Sequence, residues 1–340
     1  MVELLDERTD GIKTWKISSD RLSVIVSSFG ATILEILVSD AKGNEANVVL
    51  GYPDIEDYMA KPGTYFGATV GRTANRIKNG TFTLNDQEYH LPINNGPNCN
   101  HGGIDGFSYR NFESKQINDE TLRMTYFAKD GEEGYPGNMK FEVLFTVDGN
   151  TLRIDFTGKS DQDTLFAPTN HSYFNLSGAT SDPYEETLQI MADKFGQVDP
   201  DGLATGTSLD VEGTPLDFRE PKPIKDAMDF DVEQIRLANG VDHHFTFDEN
   251  RDLTKDVLVL RDPVSGRSLH LKTSLPGVQI YTANYQDPCK GRQGDYQSRW
   301  GIAVEAQCYP DGIHHQENPD MFVQAFEERH WWEEFTFEID

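Results

Sequence analysis

The sequence predicts an all-β protein, a large antiparallel β-sandwich, from three observations. Apolar and polar residues alternate along many short segments, turn residues punctuate them, and no βαβ rhythm appears. Residues 21–26 (RLSVIV) place Leu22, Val24 and Val26 on one face, and residues 31–38 (ATILEILV) follow a turn-like SSFG joint. Residues 80–91 read as two short strands around Asn85-Asp86. Residues 139–156 read as a hairpin whose tip is Asp148-Gly149-Asn150. Further strands are expected at 186–192, 257–260, 268–271, 278–284, 322–326 and 335–337. Helical text is scarce: one turn at 55–59 and the start of a short helix at 224–228. The acidic, proline-containing stretch 210–231 reads as a surface excursion rather than a boundary, so residues 1–340 are expected to form a single domain.

Composition narrows the function. The 340 residues are 37% hydrophobic, enough for a sizeable core, and the 20 Phe and 13 Tyr favour strands. A formal net charge of -27 repels nucleic acid and anionic membrane and disfavours a phosphorylated substrate, but leaves a neutral ligand unpenalised. Cys99, Cys289 and Cys308 show no CxxC spacing and no even count, which reads as free thiols in a reducing compartment. The first residues carry acids where a signal peptide carries bases, and no apolar run approaches the ~20 residues of a membrane span. The expected location is the cytoplasm. The glycine-rich stretch 63–72 (GTYFGATVGR) matches neither GxGxxG nor a Walker loop, which argues against a nucleotide fold.

Several polar residues interrupt strand-like or turn-like text. Residues 71–77 (GRTANRI) hold Arg72 and Arg76, and residues 100–103 (NHGG) set His101 beside two flexible positions. His171 lies in 168–176 (PTNHSYFNL), and Asp242, His243 and His244 lie in 241–245 (VDHHF). In 303–307 (AVEAQ) Glu305 interrupts an apolar strand, and alternation puts Gln307 on the same face. A carboxylate there is costly without a partner or a task. Bland readings stand beside these: a hydrogen-bonded turn for His101, a core histidine for His171, an ion pair for Arg76, and a solvated loop for residues 242–244. His314 and His315 read as an exposed loop. Metal chemistry is disfavoured because no HxH, HExxH or compact His/Cys spacing occurs, and His243 and His244 would point to opposite faces of a strand. Asp242 and Glu305 leave a two-carboxylate glycosidase open.

The ordered set GRTANRI, NHGG, DGEEGYPG at 130–137, TNHSYFNL, GVDHHF and AVEAQ resembles the aldose 1-epimerase (galactose mutarotase) family over nearly the whole chain. The resemblance implies a β-supersandwich with a sugar cleft, no cofactor and no metal, and a free aldohexose such as galactose or glucose as substrate. It puts the general base on Glu305, the general acid towards the ring oxygen on His171, and the second histidine on His101. It puts sugar binding on Asn75, Arg76, Asp242 and Gln279. Tyr173, Phe245 and Tyr281 are candidates to stack on the sugar. The roles of His243 and His244 stay open, and exposed sheet faces suit a monomer or a homodimer.

Overall fold

The computed structural model describes residues 1–317 and 319–339. Three large antiparallel sheets dominate it, with nine, six and five strands. The nine-stranded sheet is built on the hairpin of Met139–Asp148 and Thr151–Ser160, in which Asp148 pairs with Thr151 across the expected tip. Alternation decides its faces: Phe141, Val143, Phe145, Leu152, Ile154 and Phe156 are fully buried, and their neighbours are not. The twelve-residue strand Glu328–Ile339 runs between Thr151–Ser160 and Arg267–Thr273.

The six-stranded sheet runs Tyr173–Phe174, Ile302–Gln307, Gly277–Tyr281, Asp242–Thr246, Lys194–Val198, Ala204–Asp210. One apolar cluster joins Trp15, Ile17 and Val24 of the five-stranded sheet to Phe141 and Phe156 of the nine-stranded sheet and to Val278, Ile280 and Val304 of the six-stranded sheet. Burying each such large side chain contributes about 1.5–3 kcal/mol. A second, smaller cluster packs Tyr52, Tyr58, Phe66, Tyr173 and Tyr296 beside the six-stranded sheet.

Four local expectations are corrected. The expected strand 335–337 is part of the much longer Glu328–Ile339, whereas 322–326 yields only Phe322–Val323. The expected helix at 224–228 is a 3-10 turn, Ile224–Ala227. The stretch 210–231 is anchored: Val211, Leu216, Phe218, Ile224 and Ala227 are buried, and Lys222–Pro223 forms the edge of the nine-stranded sheet by pairing with Thr187–Ile190. His314 and His315 are exposed as expected but lie in the single helical turn Gly312–His315 rather than a loop, against the buried Asp311 carboxylate. The expected turn at Ile55–Met59 is present and is capped reciprocally by Asp54 and Asp57. No helix among the described residues is long and apolar enough to cross a membrane.

Glu186, just before Thr187–Ile190, is buried and accepts the Leu176 N–H at 2.7 Å. Burial raises its carboxyl to about 8, well above the ordinary glutamate value. Between these two values the unfolded chain is ionised and the folded one is not, so stability falls as pH rises. Each such group costs about 1.4 kcal/mol per pH unit. Glu186→Gln keeps the acceptor for Leu176 and is expected to remove about that slope from the stability loss between pH 6 and 8. Urea unfolding of both proteins at the two pH values measures it, and parallel losses would contradict it.

Candidate active site

Strand pairing assembles the floor of the site. Gln279 lies opposite Glu305, His244 opposite Gln279, and Asp242 opposite Tyr281. Val304 and Ala306 face the core, so alternation turns Glu305 and Gln307 to the other face. The strand is buried along its whole length, so Glu305 enters the site from beneath.

His171 is delivered to this floor by its neighbours. Tyr173 pairs with Ala303, and the Thr169 hydroxyl donates to the Ala306 carbonyl at 2.7 Å. The His171 backbone is held at both ends, its N–H by the Ala68 carbonyl and its carbonyl by the Gly67 N–H. The ring therefore stands beside Glu305, with Nε2 3.5 Å from Oε1.

His101 follows the short strand Cys99–Asn100, which pairs with Arg76–Ile77. It occupies the left-handed region at φ 51°, and Gly102 follows at φ 82°. A Cβ on Gly102 would lie 1.9 Å from the Gly71 carbonyl oxygen, so only glycine lets the chain pass here. The Asn75 N–H donates to His101 Nδ1 at 3.3 Å. That bond fixes the tautomer: Nε2 carries the proton and is a donor. The rings of His101 and His171 lie 5.1 Å apart, and Tyr65 packs on both, at 4.7 and 5.9 Å.

The guanidinium of Arg76 is held by Asn95 Oδ1 at 3.0 Å and Asn75 Oδ1 at 3.4 Å. Gln279 Nε2 donates to Asp242 Oδ1 at 2.6 Å. Asn75, Arg76, His101, His171, Asp242 and Glu305 line one cavity of about 430 Å³. Gln279 adjoins it from the floor through Asp242. The structure thus brings all seven expected site residues together.

Burial dominates the electrostatics. It pushes the Glu305 carboxyl well up, and the Asp242 charge adds to this while Arg76 opposes it. Asp242 is raised by burial against Arg76 and Gln279. Burial pulls His171 down to about 4. His101 is held well below the usual histidine value by burial first, then by His171 and Arg76. The His171–Glu305 pair therefore keeps a single proton over a broad pH range. The neutral pair and the imidazolium–carboxylate pair differ only in where that proton sits.

Donor atoms of His101, His171 and Glu305 also fall within 4.8 Å of one another, the one group among the described residues compact enough for a cation. The donor set is wrong for a metal. Nδ1 of His101 is occupied by the Asn75 N–H and Nε2 carries the proton, so the ring has no lone pair to offer.

Some expectations change. Phe245 is buried in the core and away from the cavity, whereas Tyr173 and Tyr281 line it. Residues 242–244 are in a strand, not a solvated loop. His243 packs on Phe195 and His244 on Tyr309, on opposite faces, and burial lowers both imidazoles to about 3. Arg72 is structural: its guanidinium donates to the carbonyls of Lys129, Pro136 and Gly137, tying down the DGEEGYPG turn. Sequence reasoning missed Tyr65, Asn100 and Gln286, all of which line the cavity. Tyr65 lies within the glycine-rich stretch 63–72, where no motif sets it apart.

The aldose 1-epimerase family model matches residues 13–336. The galactose mutarotase of Rattus norvegicus is 37% identical over 331 residues, spanning 96% of this chain and 94% of the rat protein. The aldose 1-epimerase of Haemophilus influenzae is 37% identical over 280 residues, 81% of either chain. The crystal structure of galactose 1-epimerase from Lactobacillus acidophilus superimposes with a TM-score of 0.87 at 30% identity, covering 100% of this chain and 99% of that one. An aldose epimerase homologue from C. elegans superimposes with a TM-score of 0.88 at 30% identity, covering 95% and 98%. With its fold, its buried histidine–glutamate pair and these relatives in agreement, the chain belongs to the aldose 1-epimerase family.

Proposed function

We propose that the protein is a mutarotase that interconverts the α and β anomers of a free aldohexose such as galactose or glucose. The observation that carries the reading is the buried His171–Glu305 pair, 3.5 Å apart at one end of the cavity, with Asp242 and Arg76 lining the same cavity. The family names of the relatives support the sugar class. The net charge of -27 suits a neutral sugar better than a sugar phosphate. The free cysteines support a cytoplasmic location.

In this mechanism Glu305 takes the proton of the anomeric hydroxyl while His171 gives one to the ring oxygen. The C1–O5 bond breaks and the open-chain aldehyde forms. Rotation about C1–C2 presents the other carbonyl face. On closure the roles reverse: His171 takes the C5 hydroxyl proton and Glu305 returns a proton to the new anomeric oxygen. Burial favours the free pair with its one proton on Glu305; moving that proton to His171 gives the reactive form, and the cycle returns to that form, so nothing is consumed. His101, with Nε2–H as a fixed donor, stabilises charge developing on the ring oxygen. Asp242 and Arg76, with Asn75 and Gln279 behind them, hold hydroxyls away from C1. No electron sink is needed and no redox change occurs.

A second reading takes a reducing disaccharide. Tyr285 stands 64% exposed at the rim, where a second ring would lie, and a maltose epimerase of Levilactobacillus brevis is 29% identical over 306 residues. Polarimetry of freshly dissolved α-D-galactose, α-D-glucose and maltose separates the readings.

Glu305→Gln and His171→Asn are each expected to slow anomer relaxation at least ~10²-fold while leaving the far-ultraviolet spectrum unchanged. Near-native rates in either would remove that residue from the acid–base pair. Asp242→Ala is expected to raise KM more than it lowers kcat, and an unchanged KM would exclude it from sugar binding. The acid limb of kcat/KM reports the second proton entering the free pair. With His171 held down to about 4, activity is expected to persist through pH 6.5 and to fall only near pH 4. A limb centred on the ordinary histidine value would contradict the burial argument.

A further inference from the structure

We propose that Gln286 is a specificity-determining residue of this site, using its amide to bind two adjacent hydroxyls of the aldose. The proposal rests on the mutarotase reading above and adds a contact that neither the motifs nor the acid–base chemistry calls for.

Gln286 sits on a turn whose backbone is tied by hydrogen bonds. Ala283 takes the left-handed conformation at φ 51°, and the Gln286 N–H closes the turn on the Ala283 carbonyl at 3.2 Å. The Tyr285 N–H donates to the Tyr281 hydroxyl at 2.9 Å. Asn284 locks the turn to the neighbouring segment: its Nδ2 donates to the carbonyls of Ala238 and Val241, and its Oδ1 accepts from Thr282. The side chain of Asn284 is thus saturated. That of Gln286 is not: the residue is 6% exposed, it forms part of the cavity wall, and neither Nε2 nor Oε1 has a hydrogen-bond partner.

A buried primary amide without partners is uncommon, because its desolvation is not repaid. Here the cavity supplies what the protein withholds. An amide offers donor and acceptor side by side, and adjacent sugar hydroxyls offer the complementary pair. The turn loses no further entropy on binding, since its backbone is already tied. The Cys289 thiol is close enough to interact with the Gln286 side chain, but it is a weak hydrogen-bonding group that a sugar hydroxyl outcompetes. Exposed Tyr285, next in the chain, places this contact towards the mouth of the cavity, on a different part of the sugar from the proton transfers at C1 and O5.

The test is Gln286→Leu, close in size but without the amide, with Cys289→Ala as control. Steady-state mutarotation is followed with galactose and with its single-deoxy analogues. For Gln286→Leu, KM for galactose is expected to rise roughly 3- to 10-fold with kcat within about twofold of wild type. At least one deoxy sugar should show the same loss on the wild type and no further loss on the variant. Cys289→Ala should leave KM unchanged. An unchanged KM in Gln286→Leu, or an equal fall in kcat on every sugar, would overturn the proposal. So would a KM change reproduced by Cys289→Ala. If Gln286→Leu does not fold, Gln286→Met carries the same comparison. If the wild type accelerates no sugar, the mutarotase reading fails on its own. Calorimetric binding of galactose to wild type and variant then decides this one, equal affinities overturning it.

Discussion

The site depends on the burial of a carboxyl and an imidazole that share one proton. Glu305 comes up from a strand buried along its length, and His171 is set beside it by a segment hydrogen-bonded to that same strand. Burial raises the acid and lowers the imidazole, so it penalises both charged forms and favours the neutral pair, which differs from the imidazolium–carboxylate pair only by the position of one proton. A pair poised in this way can donate at one end and accept at the other. An acid–base reaction that must run in both directions through one intermediate needs that property.

The rest of the molecule keeps this pair where it is. The nine-stranded sheet supplies the apolar mass against which the six-stranded sheet is pressed, so the Glu305 strand cannot shift without disturbing the core. On the other side of the cavity, Arg72 ties the 130–137 turn to the segment carrying Asn75 and Arg76. Asn75 in turn sets the tautomer of His101 and contributes to the grip on Arg76. Two of the arginines in this motif thus have different jobs, one holding backbone and the other lining the cavity.

Outside the His171–Glu305 pair the cavity wall is polar and largely pre-bonded. Asp242 is already paired with Gln279 and Arg76 with Asn95, so these groups meet a ligand in fixed orientations. The aromatic rings of Tyr65, Tyr173 and Tyr281 bring apolar faces to the same cavity. That mixture of fixed polar groups and ring faces fits a sugar better than a charged or wholly apolar ligand.

The sequence by itself determined the fold class, because alternation is a property of each strand alone. The hairpin at 139–156 and the shared face of Glu305 and Gln307 were legible for that reason. The motif set also pointed to six of the residues that meet at the cavity, and the resemblance added Gln279. Length and context were harder. Glu328–Ile339 is twelve residues long although only FTF showed strand text, because strands on both sides hold it through pairing, with Glu328, Glu334 and Glu338 on less buried positions and even Glu333 buried beside Phe335 and Phe337. Phe245 read as a possible sugar platform, yet strand register turned it to the core. What only the tertiary structure decided was distance and solvation: that His171 meets Glu305, that His101 is a fixed donor, and that the buried Gln286 amide has only a thiol beside it. These depend on segments far apart in the chain meeting in space, and on water being excluded where they meet, neither of which local pattern encodes.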